Sequence, residues 1–141
     1  MKIQTLLPFV LLFLVGFTVN PESPPPGSYT MSVAEEDIPE NVPVEARGNF
    51  VGTWQMTLSN EKKYQISKDS NILVQGSFSV SAEKLTVTDE EGVLACTAQP
   101  GTETGTYKWA YKDEKLSFTA VDDKCDGRRF VLGLRSWQKE D

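Results

Sequence analysis

The stretch QGSFSVSAEKLTVTDEEG, residues 75–92, can be laid over a second stretch, TGTYKWAYKDEKLSFTAVDD, residues 104–123. Each has a glycine, a hydroxyl residue and an aromatic residue near its start, continues with alternating apolar and polar positions, and ends in an acidic turn. Alternation of this kind places every second side chain on the same face of a β-strand. A polar turn interrupts each stretch near its middle, so each is predicted to form a β-hairpin.

The same alternation covers most of the chain from Gly48 onward. Residues 52–56, GTWQM, open in the same way as the two hairpins, and seven polar turns divide residues 44–139 into eight runs, the last being RRFVLGLRSW. No window has a convincing helical period, and short turns favour antiparallel neighbours. We predict an all-β fold, an antiparallel up-and-down barrel of eight strands over residues 44–141, with a tight sandwich as the alternative. The barrel is preferred because closure removes exposed strand edges.

The N-terminal part of the chain differs from this pattern. Residues 1–20 carry one lysine and then an apolar stretch, which is typical of a secretory signal peptide; an uncleaved N-terminal anchor is the alternative. Residues 21–43 form a Pro-rich acidic linker in which an extra, ninth strand near 29–33 is an option, because Tyr29, Met31 and Val33 alternate with polar residues. Either N-terminal alternative predicts a secreted or periplasmic domain that contacts a membrane only through an uncleaved segment.

The distribution of charge narrows the function classes. The net charge is −6, but the 13 basic residues from Arg47 onward face only 14 acidic ones, so the acidity belongs to the linker. Phosphate binding needs clustered positive charge, so no nucleic-acid partner is expected. The chain has no histidine, which removes the commonest general base and the commonest zinc ligand. We predict a monomer with no cofactor and no metal.

The two cysteines occupy equivalent positions in the repeated hairpins. Cys96 follows Gly76 by 20 residues, and Cys125 follows Gly105 by the same spacing. In an exported chain this favours a Cys96–Cys125 disulfide, which would restrict the unfolded chain by closing a loop of about 30 residues. A soft-metal site lacks further ligands, and a catalytic thiolate lacks a histidine to activate it.

Charged residues near Cys125 have two interpretations. An arginine that points into a barrel must be paired or hydrogen-bonded, so Arg128, Arg129 and Arg135 are interpreted as structural, with an anionic ligand at the barrel mouth as the alternative. Packing of the Arg135 guanidinium on Trp137 or Trp54 is the expected structural use. Three aspartates in turn-like contexts are expected to be solvated, with calcium binding or carboxylate catalysis as weaker alternatives. These are Asp89, Asp122 and Asp123.

The segment GNFVGTW, residues 48–54, together with the Arg-Ser-Trp near the C-terminus, resembles the calycin superfamily, the lipocalins and their relatives. The run that ends in DDKCDGRRF and RSWQK is most similar to small secreted bacterial lipocalin-like proteins. The resemblance implies that an early Gly-x-Trp packs against an arginine of the last strand. The chain departs from true lipocalins because it is shorter and has no evident C-terminal helix. The residues assigned this structural role are Gly52, Trp54, Arg135 and Trp137.

Three functions remain open. The first is binding of a small apolar or amphipathic ligand inside the barrel, although side chains can fill a barrel of this size completely. The second is a protein-interaction module, inhibitor-like or structural in the cell envelope, that acts through a free N-terminal arm or loops. The third, an enzyme, is disfavoured because histidine and a free thiol are missing. The predicted ligand contacts are Trp54, Phe78, Tyr107, Trp109, Phe118 and Arg129.

Overall fold

A single sheet closes on itself in the computed structural model, which describes residues 21–141. Eight antiparallel strands follow one another around the barrel in chain order, and β8 pairs with β1. The predicted all-β, up-and-down, eight-stranded barrel is therefore confirmed, whereas the predicted signal peptide or anchor, residues 1–20, lies outside the described residues. The elements are β1 (Gly27–Val33), a 3-10 turn (Glu35–Asp37), α1 (Val44–Arg47), β2 (Gly52–Leu58), β3 (Lys63–Lys68), β4 (Asn71–Ser81), β5 (Lys84–Glu91), β6 (Thr104–Lys112), β7 (Lys115–Asp122), α2 (Asp126–Gly133) and β8 (Trp137–Lys139).

The first strand of the barrel lies inside the segment that the sequence suggested as a linker. β1 pairs with β2 along its whole length, from Gly27 opposite Leu58 to Val33 opposite Gly52. Its alternating apolar residues point into the barrel, since Tyr29 is fully buried and Met31 is 3% exposed. The barrel thus begins at Gly27 rather than at residue 44, and the optional ninth strand is in fact the first of eight.

The run RRFVLGLRSW, residues 128–137, is not the long final strand that its apolar pattern suggested. Most of it forms α2, and only a three-residue strand follows to close the barrel. The physical reason is visible in the burial: Arg128, Val131 and Leu132 are the buried residues of α2, and their spacing is that of one helix face. Residues 93–98 also form no strand, so that a long loop, residues 92–103, connects β5 to β6.

Two hairpins use the turns that antiparallel strands favour. Asp69 and Ser70 join β3 to β4 with φ values of 48° and 69°, and Asp113 and Glu114 join β6 to β7 with 53° and 60°. Two successive residues with positive φ form a turn whose twist matches that of the flanking strands. These turns fix the register of the sheet.

The interior is filled unevenly. The barrel closes where β8 pairs with both β7 and β1. In these pairings Leu116 lies opposite Trp137 and Tyr29 lies opposite Lys139. Tyr29, Leu116 and Trp137 are each 0% exposed. The inward residues of β2–β5 do not meet the opposite side in the same way and leave the space described below.

The repeated glycines have a packing role. A methyl group at Gly105 would overlap the carboxylate of Asp123, and one at Gly76 would overlap the carbonyl of Thr88 and the ring of Tyr64. Each glycine lies where a neighbouring strand carries a side chain or carbonyl that needs the room of the missing Cβ. The glycines of the sequence repeat therefore mark two positions in the barrel wall at which a side chain would not fit.

Replacing these glycines should separate close packing from chain flexibility. We expect Gly105→Ala to destabilise the fold by about 1–3 kcal/mol, because the added methyl displaces a buried group. The matched control is Gly127→Ala in α2, where no atom other than those of its chain neighbours and of the α2 backbone lies within 4 Å of the added carbon. That change should be neutral or stabilising by up to about 1 kcal/mol. Urea unfolding of both variants measures the difference, and equal costs would contradict the packing role.

Candidate functional site

A cavity of about 600 Å³ lies inside the barrel along the β2–β5 wall. Its mouth is bordered by residues 48–50 before β2, by the loop of residues 92–103, and by α2. Most of its lining is apolar, as is usual for sites that bind small molecules. The lining side chains from the strands and α2 include Met56, Ile66, Leu85, Val87, Val131 and Leu132.

The cavity brings together three of the predicted ligand contacts. Trp54, Phe78 and Phe118 all line it. The other three predicted contacts lie elsewhere. Tyr107 is fully buried against Asp123, Trp109 is 5% exposed and outside the lining, and Arg129 pairs with Asp126. The alternation of the strands identified inward-facing aromatics, but it could not tell which part of the interior is open.

The predicted structural residues make different contacts from those that the resemblance implied. The indole of Trp54 donates to the carbonyl of Phe50 over 2.8 Å, and the cation over its ring is Lys68, whose Nζ is 5.9 Å from the ring centre. Arg135 instead donates to the carbonyl of Ser32 over 3.0 Å and pairs with Asp37 over 3.2 Å. Arg135 therefore ties β1 and the following turn to the C-terminal segment.

Two further members of this set lie at element ends. Gly52 has a φ of +138° and faces the carboxylate of Asp69, which accepts from the backbone N–H of Thr53 over 3.0 Å. Trp137 is fully buried, and its Nε1 lies 3.5 Å from the carbonyl of Leu132 at the end of α2. Gly52 and Trp137 thus fix the first residues of β2 and β8.

Arg128 is the centre of a buried polar network at one side of the cavity. Its guanidinium contacts Asp123 through Nε (2.8 Å) and Nη2 (2.7 Å), and Nη1 is 3.1 Å from Asp89. Nη1 also donates to the carbonyl of Glu103 and Nη2 to that of Thr102, both over 2.9 Å. A guanidinium has five N–H donors, and four of them make hydrogen bonds here, while Nη1 also forms an ion pair with Asp89. Arg128 is therefore largely engaged by protein groups.

The two aspartates of this network have matching environments. Asp89 is 4% exposed and Asp123 is 6% exposed, so the expectation that they are solvated turn residues was wrong. Each carboxylate contacts Arg128 and accepts one tyrosine hydroxyl and one cysteine backbone N–H. Asp89 accepts from Tyr64 and, over 2.8 Å, from Cys96; Asp123 accepts from Tyr107 and, over 2.8 Å, from Cys125.

These contacts set the ionisation of the network. Burial alone would raise the pKa of Asp123, but hydrogen bonds from Arg128, Tyr107 and the Cys125 backbone outweigh burial and hold that pKa below its usual value. Burial and the adjacent carboxylates raise the pKa of Tyr64 and Tyr107 well above the usual range of a phenol. Both phenols therefore remain neutral donors, and Asp123 remains a charged acceptor.

The disulfide lies beside this network. Cys96 and Cys125 are bonded, as predicted, and both line the cavity. The bond joins the loop of residues 92–103 to the residue that precedes α2, and Arg128 joins the same loop to α2 itself. The disulfide and the hydrogen bonds of Arg128 thus both hold this loop against α2 at the end of the barrel.

Sequence reasoning identified neither Tyr64 nor Arg128 as a partner of the two aspartates. One signal was present, because Gly76 lies opposite Asp89 in the β4–β5 register, and Gly105 makes room for Asp123. At Gly105 the room is taken by the carboxylate of Asp123, whereas at Gly76 it is taken by the carbonyl of Thr88 and by the ring of Tyr64, whose hydroxyl donates to Asp89. The position of Arg128 could not be found in this way, because it depends on α2.

Comparisons with protein-family models, curated proteins and solved structures gave no match. The barrel is consistent with a lipocalin-like fold, and membership in the calycin superfamily stays a prediction. Within residues 21–141, no helix is long and apolar enough to cross a membrane. The same residues contain no cluster of three or more His, Cys, Asp or Glu side chains that could hold a metal ion.

Removing the central arginine should be far more costly than removing its neighbour. Arg128→Met leaves two buried carboxylates without their cation, and we expect a loss of about 3–5 kcal/mol. The matched control is Arg129→Met, because Arg129 and its partner Asp126 have side chains that are 48% and 88% exposed. Arg129→Met also removes a 2.8 Å hydrogen bond from Nη1 to the carbonyl of Asp123, so it should cost about 1–2 kcal/mol, still well below the loss in Arg128→Met. Urea unfolding compares the two, and similar losses would contradict a central role for Arg128.

The network also predicts a dependence on acid. The pKa of Asp123 is lower in the folded chain than its usual value of 3.8, so its stabilising contribution is present above that pH and is lost as the pH falls below it. The stability gap between the wild type and Asp123→Asn should therefore narrow as the pH falls from 5 to about 2. The exposed variant Asp126→Asn is measured beside it as the control for the general effect of acid on the fold. A gap that is constant with pH would contradict an ionised Asp123.

Proposed function

We propose that the barrel binds one small apolar or amphipathic molecule in its cavity. The observation that carries this proposal is the cavity of about 600 Å³ with three aromatic residues, Trp54, Phe78 and Phe118, on its wall. Ligand sites of small molecules typically have volumes of about 300–1,000 Å³ and mostly apolar linings. A molecule placed there would bury apolar surface that water now contacts.

The mouth of the cavity supports the same function. Val93 and Leu94 line the cavity, yet they are 81% and 56% exposed. Exposed apolar groups that form a contiguous patch rimmed by polar residues mark binding sites. The other exposed large apolar residues also lie at this end of the barrel, on α1 or at strand ends. They are Val44, Ile72 and Val121.

The links around the loop favour binding by reducing its entropic cost. The loop is fixed by the disulfide, by Arg128 and by a hydrogen bond of 3.1 Å from Leu94 N–H to the carbonyl of Leu73. A site that is already ordered loses less conformational freedom when a ligand binds. A disulfide is compatible with an oxidising compartment, and we keep secretion or periplasmic export as part of the proposal.

The alternative of a protein-interaction module loses its main support. That hypothesis depended on an N-terminal arm that is free of the barrel, but residues 27–33 form β1. A catalytic role is not proposed, because the buried carboxylates Asp89 and Asp123 are already engaged by Arg128 and the two tyrosines.

Binding of an uncharged apolar fluorophore, N-phenyl-1-naphthylamine, tests the proposal. We expect saturable binding of one molecule, with increased fluorescence and a matching mass in native mass spectrometry. Val87→Trp should remove this binding, because Val87 lines the cavity and the larger side chain occupies the space. The control, Ser79→Trp, adds the same group at an exposed position and should bind as the wild type does. Binding that persists in a folded Val87→Trp variant would place the fluorophore outside the cavity and contradict the proposal.

A further inference from the structure

We infer that the ligand carries an anionic headgroup, which Lys68 binds at the mouth while the apolar part lies in the cavity. The inference rests on the proposed function and specifies the chemical class of its ligand: a single-chain amphiphile ending in a carboxylate or a similar anion. It follows from the charges around the cavity and from the hydrogen bonds that those charges already make.

Lys68 is the cation of the cavity wall that is not paired with a carboxylate. The charged residues of the lining are Lys68, Asp89 and Arg128, and the last two contact each other. Among the described residues, no carboxylate oxygen lies within 4.0 Å of Lys68 Nζ. A half-buried ammonium in a mostly apolar lining is electrostatically favourable for an anion.

The hydrogen bonds of Lys68 fix its ammonium and leave it one donor. Nζ donates to the carbonyl of Asn49 over 3.0 Å and to that of Val51 over 3.2 Å. An ammonium has three N–H donors, so one remains. Lys68 lies opposite Trp54 in the β2–β3 register, at the end of β3 that borders the mouth. The cation is thus held at the mouth, above the indole that begins the apolar wall.

The opposite side of the cavity does not compete for an anion. Four of the five N–H donors of Arg128 make hydrogen bonds to protein acceptors, its Nη1 also pairs with Asp89, and the network contains two carboxylates for one guanidinium. That side therefore carries excess negative charge, which repels an anionic headgroup. The two sides together orient the ligand, with its headgroup at Lys68 and its chain extending towards Phe78 and Phe118.

Three amphiphiles with the same twelve-carbon chain test the inference. They are dodecanoate, dodecan-1-ol and dodecyltrimethylammonium, used to displace N-phenyl-1-naphthylamine, the alcohol below its solubility limit and the two ions below their micellar concentrations. We expect dodecanoate to bind about tenfold more tightly than dodecan-1-ol, the difference that one hydrogen bond to a charged group provides. The cationic amphiphile should bind most weakly, and added salt should weaken dodecanoate alone.

Variants of Lys68 separate recognition of the headgroup from support of the mouth. Lys68→Met should weaken binding of dodecanoate about tenfold more than binding of dodecan-1-ol and so remove the preference, and Lys68→Arg should keep the preference. Lys84→Met removes the same charge at an exposed position at the other end of the barrel and should change neither affinity.

The possible results are distinct. Equal affinities for dodecanoate and dodecan-1-ol, tighter binding of the cationic amphiphile, or an equal weakening of acid and alcohol in Lys68→Met would each overturn the inference but leave the cavity as a binding site. If none of the amphiphiles and not even the fluorophore binds, the proposed function itself fails, and the inference fails with it.

Discussion

The ionic contacts of Arg128 are the constraint on which the open end of the barrel depends. A guanidinium that is 8% exposed is tolerable only if all its donors are paired, since an unpaired buried charge is very costly. The pairing requires Asp89 at the end of β5, Asp123 after β7 and two carbonyls of the loop between β5 and β6. Those three segments therefore have to meet around the guanidinium, and α2 has to pack so that Arg128 lies between them.

The disulfide and the network reinforce each other because they join the same segments. The backbone N–H of each cysteine donates to one of the two aspartates, so the carboxylates that neutralise Arg128 also position the residues that form the bond. The covalent link in turn limits how far the loop can move from α2 in the folded state, which keeps Thr102 and Glu103 within reach of the guanidinium. Breaking the disulfide should therefore change the contribution of Arg128 to the free energy of unfolding, and the reverse, because groups that share partners are energetically coupled.

Local patterns predicted the parts of this fold that depend on neighbours in sequence. The period-two alternation of β2 and the two hairpins, the turns at Asp69 and Asp113, and the equivalent positions of Cys96 and Cys125 all follow from short-range rules. The prediction of one long strand from residue 128 was wrong because a short apolar run does not distinguish a strand period from a helix period. Its buried residues have helical spacing only once it is known which of them face the barrel.

The candidate site was less predictable because it depends on what fills a closed volume. Alternation predicts that Phe78 and Phe118 point into the barrel. Whether they border open space depends on which other side chains fill the interior, and Tyr29, Leu116 and Trp137 fill it only where β8 closes the barrel.

The polarity of the cavity follows from that same arrangement. The carboxylates that could have neutralised a cation inside the barrel are held by Arg128 and two tyrosine hydroxyls. An internal cation that lies away from them is left with backbone carbonyls and an aromatic face, as Lys68 is. The stability of the barrel end and the electrostatic character of its cavity are therefore two consequences of one set of contacts. A change that released Asp89 towards the cavity would alter both the fold energy and the charge that a ligand meets.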